Sequence, residues 1–252
     1  MTWQHPYAVG FFYSIPLFPS MSKSYKHLFF DLDHTLWDFT KNSEKTLREL
    51  YQEYALDTRG VPGFEAFLDT YMVHNDRMWE RFRNGYIKRE ELRWKRIWLT
   101  LLDFKIGDTA LANEMSAAYL EILPTQTLLV PFAKELLDHC KDRYVLHLIT
   151  NGFEITQRQK MQFSGIAPYF SELITSEKSN SMKPHKEIFE YALKVTGAKA
   201  EESIMVGDAL DIDILGALNA GWDQVYYNPV KAEHKRKPTY EIKCLSEMME
   251  VF

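Results

Sequence analysis

The sequence predicts an α/β protein, with a Rossmann-like parallel sheet as its core and an α-helical domain inserted after the first strand. Short apolar runs alternate with amphipathic helical segments beyond residue 130, which is typical of a parallel sheet covered on both faces. Between the first two apolar runs, residues 40–128 show helical periodicity throughout. We therefore divide the chain into an N-terminal extension (1–20), an α/β core (21–39 and 129–252) and a helical cap (40–128).

Five apolar runs are predicted to be strands: Leu28–Phe30, Tyr144–Ile149, Leu173–Thr175, Ile204–Val206 and Gln224–Tyr227. Pro131 is predicted to occupy the first turn of a helix, where proline is favourable. A later helix is predicted to stop at Gly197. In sheets of this kind, ligands bind at the carboxyl ends of the strands.

Three apolar stripes at helical spacing run through the inserted segment, and Asn84-Gly85 predicts a turn after the second. The stripes are Leu47, Leu50, Tyr51 and Tyr54; Phe64, Leu68, Tyr71, Met78, Trp79 and Phe82; and Leu111, Met115, Ala118, Tyr119 and Ile122. Asn75 interrupts the second stripe. Because a buried amide needs hydrogen-bond partners, Asn75 is predicted either to bond a neighbouring helix or to face a cleft.

Composition argues against several classes of protein. The net charge of −5 disfavours nonspecific binding to a nucleic acid polymer, and no apolar run approaches the ~20 residues that span a membrane. Cys140 and Cys244 are too few for a disulfide framework, which predicts a reducing, cytoplasmic location. The aromatic run Phe11–Phe18 is a poor signal peptide, so we expect the extension to be disordered or docked, or to precede a start at Met21.

Two carboxylates, Asp31 and Asp33, follow the first predicted strand. The period-2 geometry of a strand places them on the same side, where they repel each other unless a cation or a shared proton intervenes. The pair predicts either a nucleophile with an acid–base partner and a cation, or a turn in which Asp33 caps the next segment. Taken alone, the two residues leave both interpretations open.

Polar residues also follow the second strand and precede a later helix. The hydroxyl of Thr150 and the backbone N–H groups around Asn151 and Gly152 could hold phosphate oxygens, although an ordinary turn has the same residues. Lys183 precedes Pro184, which gives its side chain a defined direction, although an exposed lysine is the default.

Three acids, Asp208, Asp211 and Asp213, follow the fourth strand. Hard oxygen ligands in such a cluster suit Mg²⁺, whereas acids are also common at helix N-termini for their effect on the helix dipole. We expect one of the three to serve only the helix.

In this order, the motifs resemble those of the haloacid dehalogenase superfamily, and the resemblance covers Met21–Phe252. The matching segments are D-x-D-x-T at Asp31–Thr35, T-N-G at Thr150–Gly152, K-P before I-F at Lys183–Phe189, and G-D-x-x-x-x-D at Gly207–Asp213. The resemblance implies that Asp31 is a nucleophile that forms an aspartyl phosphate and that Asp33 is its general acid and base. Dehalogenases of the superfamily lack an acid at the second position, so Asp33 favours phosphate ester chemistry.

The same resemblance implies a phosphate site and a Mg²⁺ site. The implied phosphate-binding residues are Thr150, Asn151 and Lys183. The implied metal ligands are Asp31, Asp33 through its backbone carbonyl, Asp208, and Asp213 directly or through water.

Within the insertion, Asn75–Ile87 and the following Glu91-Leu92-Arg93 resemble the bacterial pyrimidine 5′-nucleotidases of the superfamily. This resemblance implies Asn75, Trp79 and Arg93 as candidate specificity residues. For each there is an alternative: a bond from Asn75 to a neighbouring helix, packing of Trp79 in the core of the cap, and a solvated surface position for Arg93.

We therefore predict a Mg²⁺-dependent phosphomonoesterase that acts on a small phosphate ester. The first candidate for this substrate is a pyrimidine nucleoside 5′-monophosphate. A sugar-phosphate phosphatase or a phosphomutase on the same scaffold is one alternative. A non-catalytic binding or regulatory protein is a more distant one. The oligomeric state stays open.

Overall fold

The computed structural model describes residues 24–252, in which six parallel strands form one sheet in the order β3-β2-β1-β4-β5-β6. The strands are β1 (His27–Phe30), β2 (Val145–Thr150), β3 (Phe170–Thr175), β4 (Ser203–Gly207), β5 (Asp223–Tyr227) and β6 (Tyr240–Ile242). The predicted Rossmann-like parallel sheet is confirmed. The expectations for residues 1–20 concern a part of the chain outside the described residues.

Sequence patterns located β1 to β5 but did not locate β6. This last strand has three residues, with an exposed Glu241 between the buried Tyr240 and Ile242. One alternation is too short to be distinguished from loop sequence.

Five α-helices lie between β1 and β2, and we call the first four the helical lobe: α1 (Phe39–Glu53), α2 (Phe64–Arg83), α3 (Arg89–Asp103) and α4 (Thr109–Ile122). The predicted helical insertion is therefore confirmed. The other α-helices of the described residues are α5 (Ala133–Cys140), α6 (Glu154–Phe163), α7 (Ser176–Ser179), α8 (Lys186–Thr196), α9 (Leu215–Asn219) and α10 (Met248–Val251). Among the described residues, no helix combines the length and apolarity that a membrane crossing requires.

One predicted helix end is confirmed and one start is wrong. Gly197 follows α8 with φ 69°, the left-handed conformation that ends many helices. Helix α5 begins at Ala133 rather than at Pro131, because Phe132 has φ 67° and breaks the helical path between them.

Both faces of the sheet are covered, as predicted. Leu28 and Phe30 point to one face and share a core with Leu136 of α5 and with residues of the helical lobe. Phe29 points to the other face and packs in a second core with Phe189 of α8. All five side chains are fully buried, as expected for a strand that lies inside the sheet between β2 and β4.

Side-chain caps and aromatic packing hold the helical lobe together. Asp38 accepts a hydrogen bond from the Lys41 N–H at the start of α1, and Asp108 caps the first turn of α4 in the same way. The rings of Tyr71 and Tyr119 lie 5.5 Å apart between α2 and α4. These predicted stripe positions are buried in the lobe.

Strand β2 carries a buried histidine, and we expect it to make the stability of the fold depend on pH. His147 is 2% exposed, its ring stacks on Phe29, and its Nε2 lies 3.1 Å from Nδ1 of His27. Burial lowers the pKa of His147 to about 4, with the nearby His27 contributing in the same direction. The unfolded chain, with a histidine pKa near 6.5, therefore binds a proton before the folded chain does.

We expect this histidine to contribute stability that is complete above pH 6.5 and lost as the pH falls towards 4, up to about 3 kcal/mol. In the His147→Gln variant, the melting temperature should fall less between pH 7 and pH 4.5 than in the wild type. Calorimetry across this range measures the difference. An equal fall in both proteins would contradict the assignment.

Candidate active site

The sheet order brings three of the predicted motifs to one edge. Strand β1 lies between β2 and β4, so Asp31, Thr150 and Asp208 stand side by side at the carboxyl ends of neighbouring strands. Lys183 joins them from the segment between α7 and α8. All four residues line one cavity.

Lys183 lies at the centre of the cluster. It is 1% exposed, and its Nζ donates to Asp31 Oδ1 at 2.6 Å and to the backbone carbonyl of Ile149 at 2.8 Å. The same Nζ lies 2.7 Å from Asp213 Oδ1. Burial alone would lower the pKa of Lys183, but the two carboxylates outweigh it and raise that pKa, so the ammonium form persists. The alternative of a solvated surface lysine is wrong.

The carboxylates of Asp31, Asp208 and Asp213 form a cluster in which one oxygen of each lies within 4.8 Å of the others. Burial, together with repulsion from the other two acids, raises the pKa of Asp31 well above its usual range, although Lys183 opposes the shift. Burial and repulsion from Asp213 raise the pKa of Asp208 to about 7. A divalent cation would offset the repulsion between these crowded carboxylates, so the residues fit Mg²⁺.

The three acids after β4 differ in their surroundings. Asp213 places one oxygen against Lys183 and accepts a hydrogen bond on the other from the Ala209 N–H, at 3.1 Å. A Cβ at Gly207 would overlap this carboxylate, so glycine is required where the strand ends. Asp211 is exposed and pairs with Arg236 at 2.8 Å, which makes it the acid outside the cluster.

Asp208 and Asp31 each keep an oxygen for a ligand. Asp208 Oδ1 accepts from the Thr35 hydroxyl at 2.9 Å, and Asp31 Oδ1 accepts from Lys183. Within residues 24–252, Asp31 Oδ2 has no hydrogen-bond partner, and Asp208 Oδ2 accepts from no other residue. Asp213, with both oxygens engaged, is better suited to hold Lys183 than to bind a metal directly.

Asp33 is held by two residues that the sequence patterns did not identify. Lys160 Nζ donates to Asp33 Oδ1 at 2.6 Å, and Gln157 Nε2 donates to Asp33 Oδ2 at 3.0 Å. Lys160 is 3% exposed and lies over the ring of Trp37, 4.4 Å from its centroid. Burial favours the neutral acid, but Lys160 and Gln157 together lower the pKa of Asp33 below its usual value. Asp33 is therefore a carboxylate in this conformation.

A sequence pattern on α6 could have identified Gln157 and Lys160. Gln157 and Lys160 are three positions apart on the face that also buries Met161. A polar residue at the position of an apolar stripe is the same kind of signal that singled out Asn75.

The loop after β2 is tied to Lys183. Thr150 Oγ1 accepts hydrogen bonds from Gln157 Nε2 at 2.8 Å and from the Gly152 N–H at 3.1 Å, which leaves its own proton to donate. Asn151 uses both ends of its amide on the backbone of Lys183, at 2.9 and 2.8 Å. The Asn151 side chain therefore positions Lys183, and Asn151 also lines the cavity.

A cavity of about 260 Å³ lies between this cluster and the helical lobe. This volume is near the lower end of the range for small-molecule sites, roughly 300–1,000 Å³. The lobe contributes Asn75, Trp79, Arg83 and Arg96 to its lining. Arg93 is exposed and is not part of the lining, so the structure does not bring it to the other predicted site residues.

For both Asn75 and Trp79, the structure shows a contact within the protein and also a position in the cavity lining. The Asn75 carbonyl accepts from Arg96 Nη1 of the neighbouring α3 at 2.9 Å, and Asn75 also lines the cavity. Trp79 packs edge to face against Phe82 of the lobe, with ring centroids 5.9 Å apart, and it lines the cavity as well. Arg96 is 4% exposed.

We compared the chain with family models, with curated proteins and with solved structures. The family model for haloacid dehalogenase-like hydrolases matches residues 25–221. The pyrimidine 5′-nucleotidase PynA of Streptococcus pneumoniae is 32% identical over 90% of this chain and 94% of its own, and the pyrimidine 5′-nucleotidase YjjG of Escherichia coli is 30% identical over 88% and 95%. The crystal structure of the putative HAD-hydrolase YfnB of Bacillus subtilis, bound to magnesium, has a TM-score of 0.81 at 30% identity and covers 91% of this chain and 99% of that one. The chain therefore belongs to the haloacid dehalogenase-like hydrolases.

Proposed function

We propose that this phosphatase hydrolyses nucleoside 5′-monophosphates, prefers pyrimidine nucleotides and depends on Mg²⁺. The observation that carries the proposal is the buried Asp31 carboxylate, ion-paired to Lys183 at the floor of a cavity that the helical lobe covers. The names of the relatives PynA and YjjG support the nucleotide substrate. In this proposal the helical cap (40–128) is the part that selects the substrate and the α/β core (21–39 and 129–252) carries the chemistry.

Asp31 attacks the phosphorus atom, the bond from phosphorus to the 5′-oxygen breaks, and an aspartyl phosphate forms. Asp33 gives a proton to the departing 5′-oxygen. It then takes a proton from the water that attacks the aspartyl phosphate, which releases phosphate and restores Asp31. The Lys183 ammonium offsets the charge of Asp31 and of the phosphoryl group, and the Thr150 hydroxyl donates to a phosphoryl oxygen.

The surroundings of Asp33 suit activation of the attacking water better than protonation of the leaving 5′-oxygen. Paired with Lys160, Asp33 is a carboxylate, which is the form a general base needs. Protonating the leaving group requires Asp33 to separate from Lys160 and carry a proton. An arriving phosphate dianion favours this, because added negative charge raises the pKa of a neighbouring carboxyl group.

Asp31, the backbone carbonyl of Asp33 and Asp208 would hold the Mg²⁺ ion, with Asp213 acting through Lys183 or through water. When bound, the ion supplies positive charge to the phosphoryl oxygens, which is what phosphoryl transfer needs most. A cytoplasmic location belongs to the same proposal, since both cysteines are free.

A phosphate-release assay over nucleotides and sugar phosphates tests the proposal. We expect UMP or dTMP to have a higher kcat/KM than AMP and than ribose 5-phosphate, and we expect chelation to abolish all turnover until Mg²⁺ is restored. Faster hydrolysis of ribose 5-phosphate than of any nucleotide would make the chain a sugar phosphatase instead. Isomerisation of a sugar phosphate without release of phosphate would make it a mutase.

A further inference from the structure

The helical lobe buries one positive charge without a counter-charge. Arg96 on α3 is 4% exposed, and no carboxylate oxygen of the described residues lies within 4.0 Å of its guanidinium. Its Nε donates to the Leu92 carbonyl at 3.0 Å and its Nη1 to Asn75 Oδ1 at 2.9 Å. A buried cation without an anionic partner destabilises a fold, so its retention points to a ligand.

The position of Arg96 is fixed, and the cavity is open to it. Asn75 accepts from Arg96 through its carbonyl oxygen and donates through its Nδ2 to Asp76, so Asp76 orients the amide that holds the guanidinium. Tyr119 lies beneath the same group, with its ring centroid 5.6 Å from the guanidinium carbon. Arginine has five N–H donors, and two are accounted for by hydrogen bonds in the described residues. Arg96, Asn75 and Tyr119 all line the cavity.

The phosphate end of the cavity already has its own cation. Lys183 and Thr150 belong to the sheet edge, whereas Arg96 belongs to the helical lobe that covers the cavity. A substrate whose phosphate lies at Asp31 therefore turns its other end towards Arg96. In a nucleoside 5′-monophosphate, that end is the base.

We propose that Arg96, held by Asn75, donates hydrogen bonds to the carbonyl oxygen at position 2 of a pyrimidine base. This inference rests on the proposed function and names the group that the site recognises. Uracil, thymine and cytosine all carry this oxygen, whereas adenine has no carbonyl group. A charged donor in a buried site discriminates strongly, because a ligand without the acceptor leaves the donor unpaired.

The test compares Arg96→Met with Arg93→Met on UMP and on ribose 5-phosphate, which lacks the base. Arg93 is a matched control because it lies on the same helix but is exposed and away from the cavity. We expect Arg96→Met to lower kcat/KM for UMP by roughly 10- to 100-fold and for ribose 5-phosphate by less than about 3-fold. Arg93→Met should change neither value, and Arg96→Met should melt no lower than the wild type, because the variant no longer buries a charge.

Each other outcome has a distinct meaning. Equal losses on UMP and ribose 5-phosphate would overturn the inference and assign Arg96 to the phosphate or to the fold, and an unchanged kcat/KM for UMP would overturn it too. If the wild type does not prefer UMP over ribose 5-phosphate, the proposed function fails as well. Should Arg96→Met not fold, Arg96→Lys replaces it in the test. Lysine keeps the charge but has a single nitrogen, so it cannot donate to Asn75 and to the base from two nitrogens. The inference then still requires that kcat/KM falls for UMP and not for ribose 5-phosphate.

Discussion

Replacing Asp31 with asparagine is expected to reduce phosphate release by ~10⁴-fold or more, because the amide cannot form the acyl phosphate on which the proposed reaction depends. The variant should remain folded. Burial and two neighbouring acids raise the pKa of Asp31 although Lys183 opposes the shift, so the ionised carboxylate is disfavoured in the folded state relative to the unfolded chain. In chelator at pH 7, Asp31→Asn should therefore melt at or above the wild-type temperature.

Two measurements separate loss of the nucleophile from loss of the site. UMP that carries a radiolabelled phosphate should leave label on acid-quenched wild-type protein and none on Asp31→Asn. Asp211→Asn is the matched control, since Asp211 is an acid of the same motif that lies exposed against Arg236. Asp211→Asn should keep wild-type turnover. Label on Asp31→Asn, or turnover above a tenth of wild type, would remove Asp31 from the role of nucleophile.

The strand-end motifs could be predicted because their geometry is local. A buried run such as Leu28–Phe30 fixes where Asp31 emerges, and a parallel sheet gathers such ends at one edge. The partners of Asp33 could not be predicted in the same way. Lys160 lies 127 positions from Asp33, and their contact depends on how α6 packs against the sheet, which neither segment encodes alone.

Arg93 and Arg96 show that a resemblance between sequences does not tell which of two nearby arginines lines the cavity. Three positions on a helix turn the side chain by about 60° relative to the apolar stripe, which is enough to move it from the cavity to solvent. Leu92 and Thr100 are buried on α3, and Arg96 lies four positions from each. A stripe through these positions would have selected Arg96, whereas the resemblance to other sequences selected Arg93.

Replacing Lys183 with methionine is the second change for which we expect a large effect. The variant should lose all detectable turnover and about 3–5 kcal/mol of stability at pH 8 in chelator, because Asp31 and Asp213 would remain buried without their cation. For a chain of this size, such a loss lowers the melting temperature by roughly 10 °C. Calorimetry in chelator measures it.

The pH dependence of this loss identifies its cause. Without Lys183, the folded-state pKa of Asp31 rises further above its unfolded value, so the variant loses stability relative to the wild type as the pH rises and regains it as the pH falls. The difference in melting temperature should narrow from pH 8 to pH 5. Lys186→Met, which removes an exposed lysine paired with Glu190, should show no difference at either pH. If Lys183→Met lowers the melting temperature equally at both pH values, the lost stability comes from packing of the lysine stem. Charge compensation of Asp31 would then not explain why Lys183 is buried.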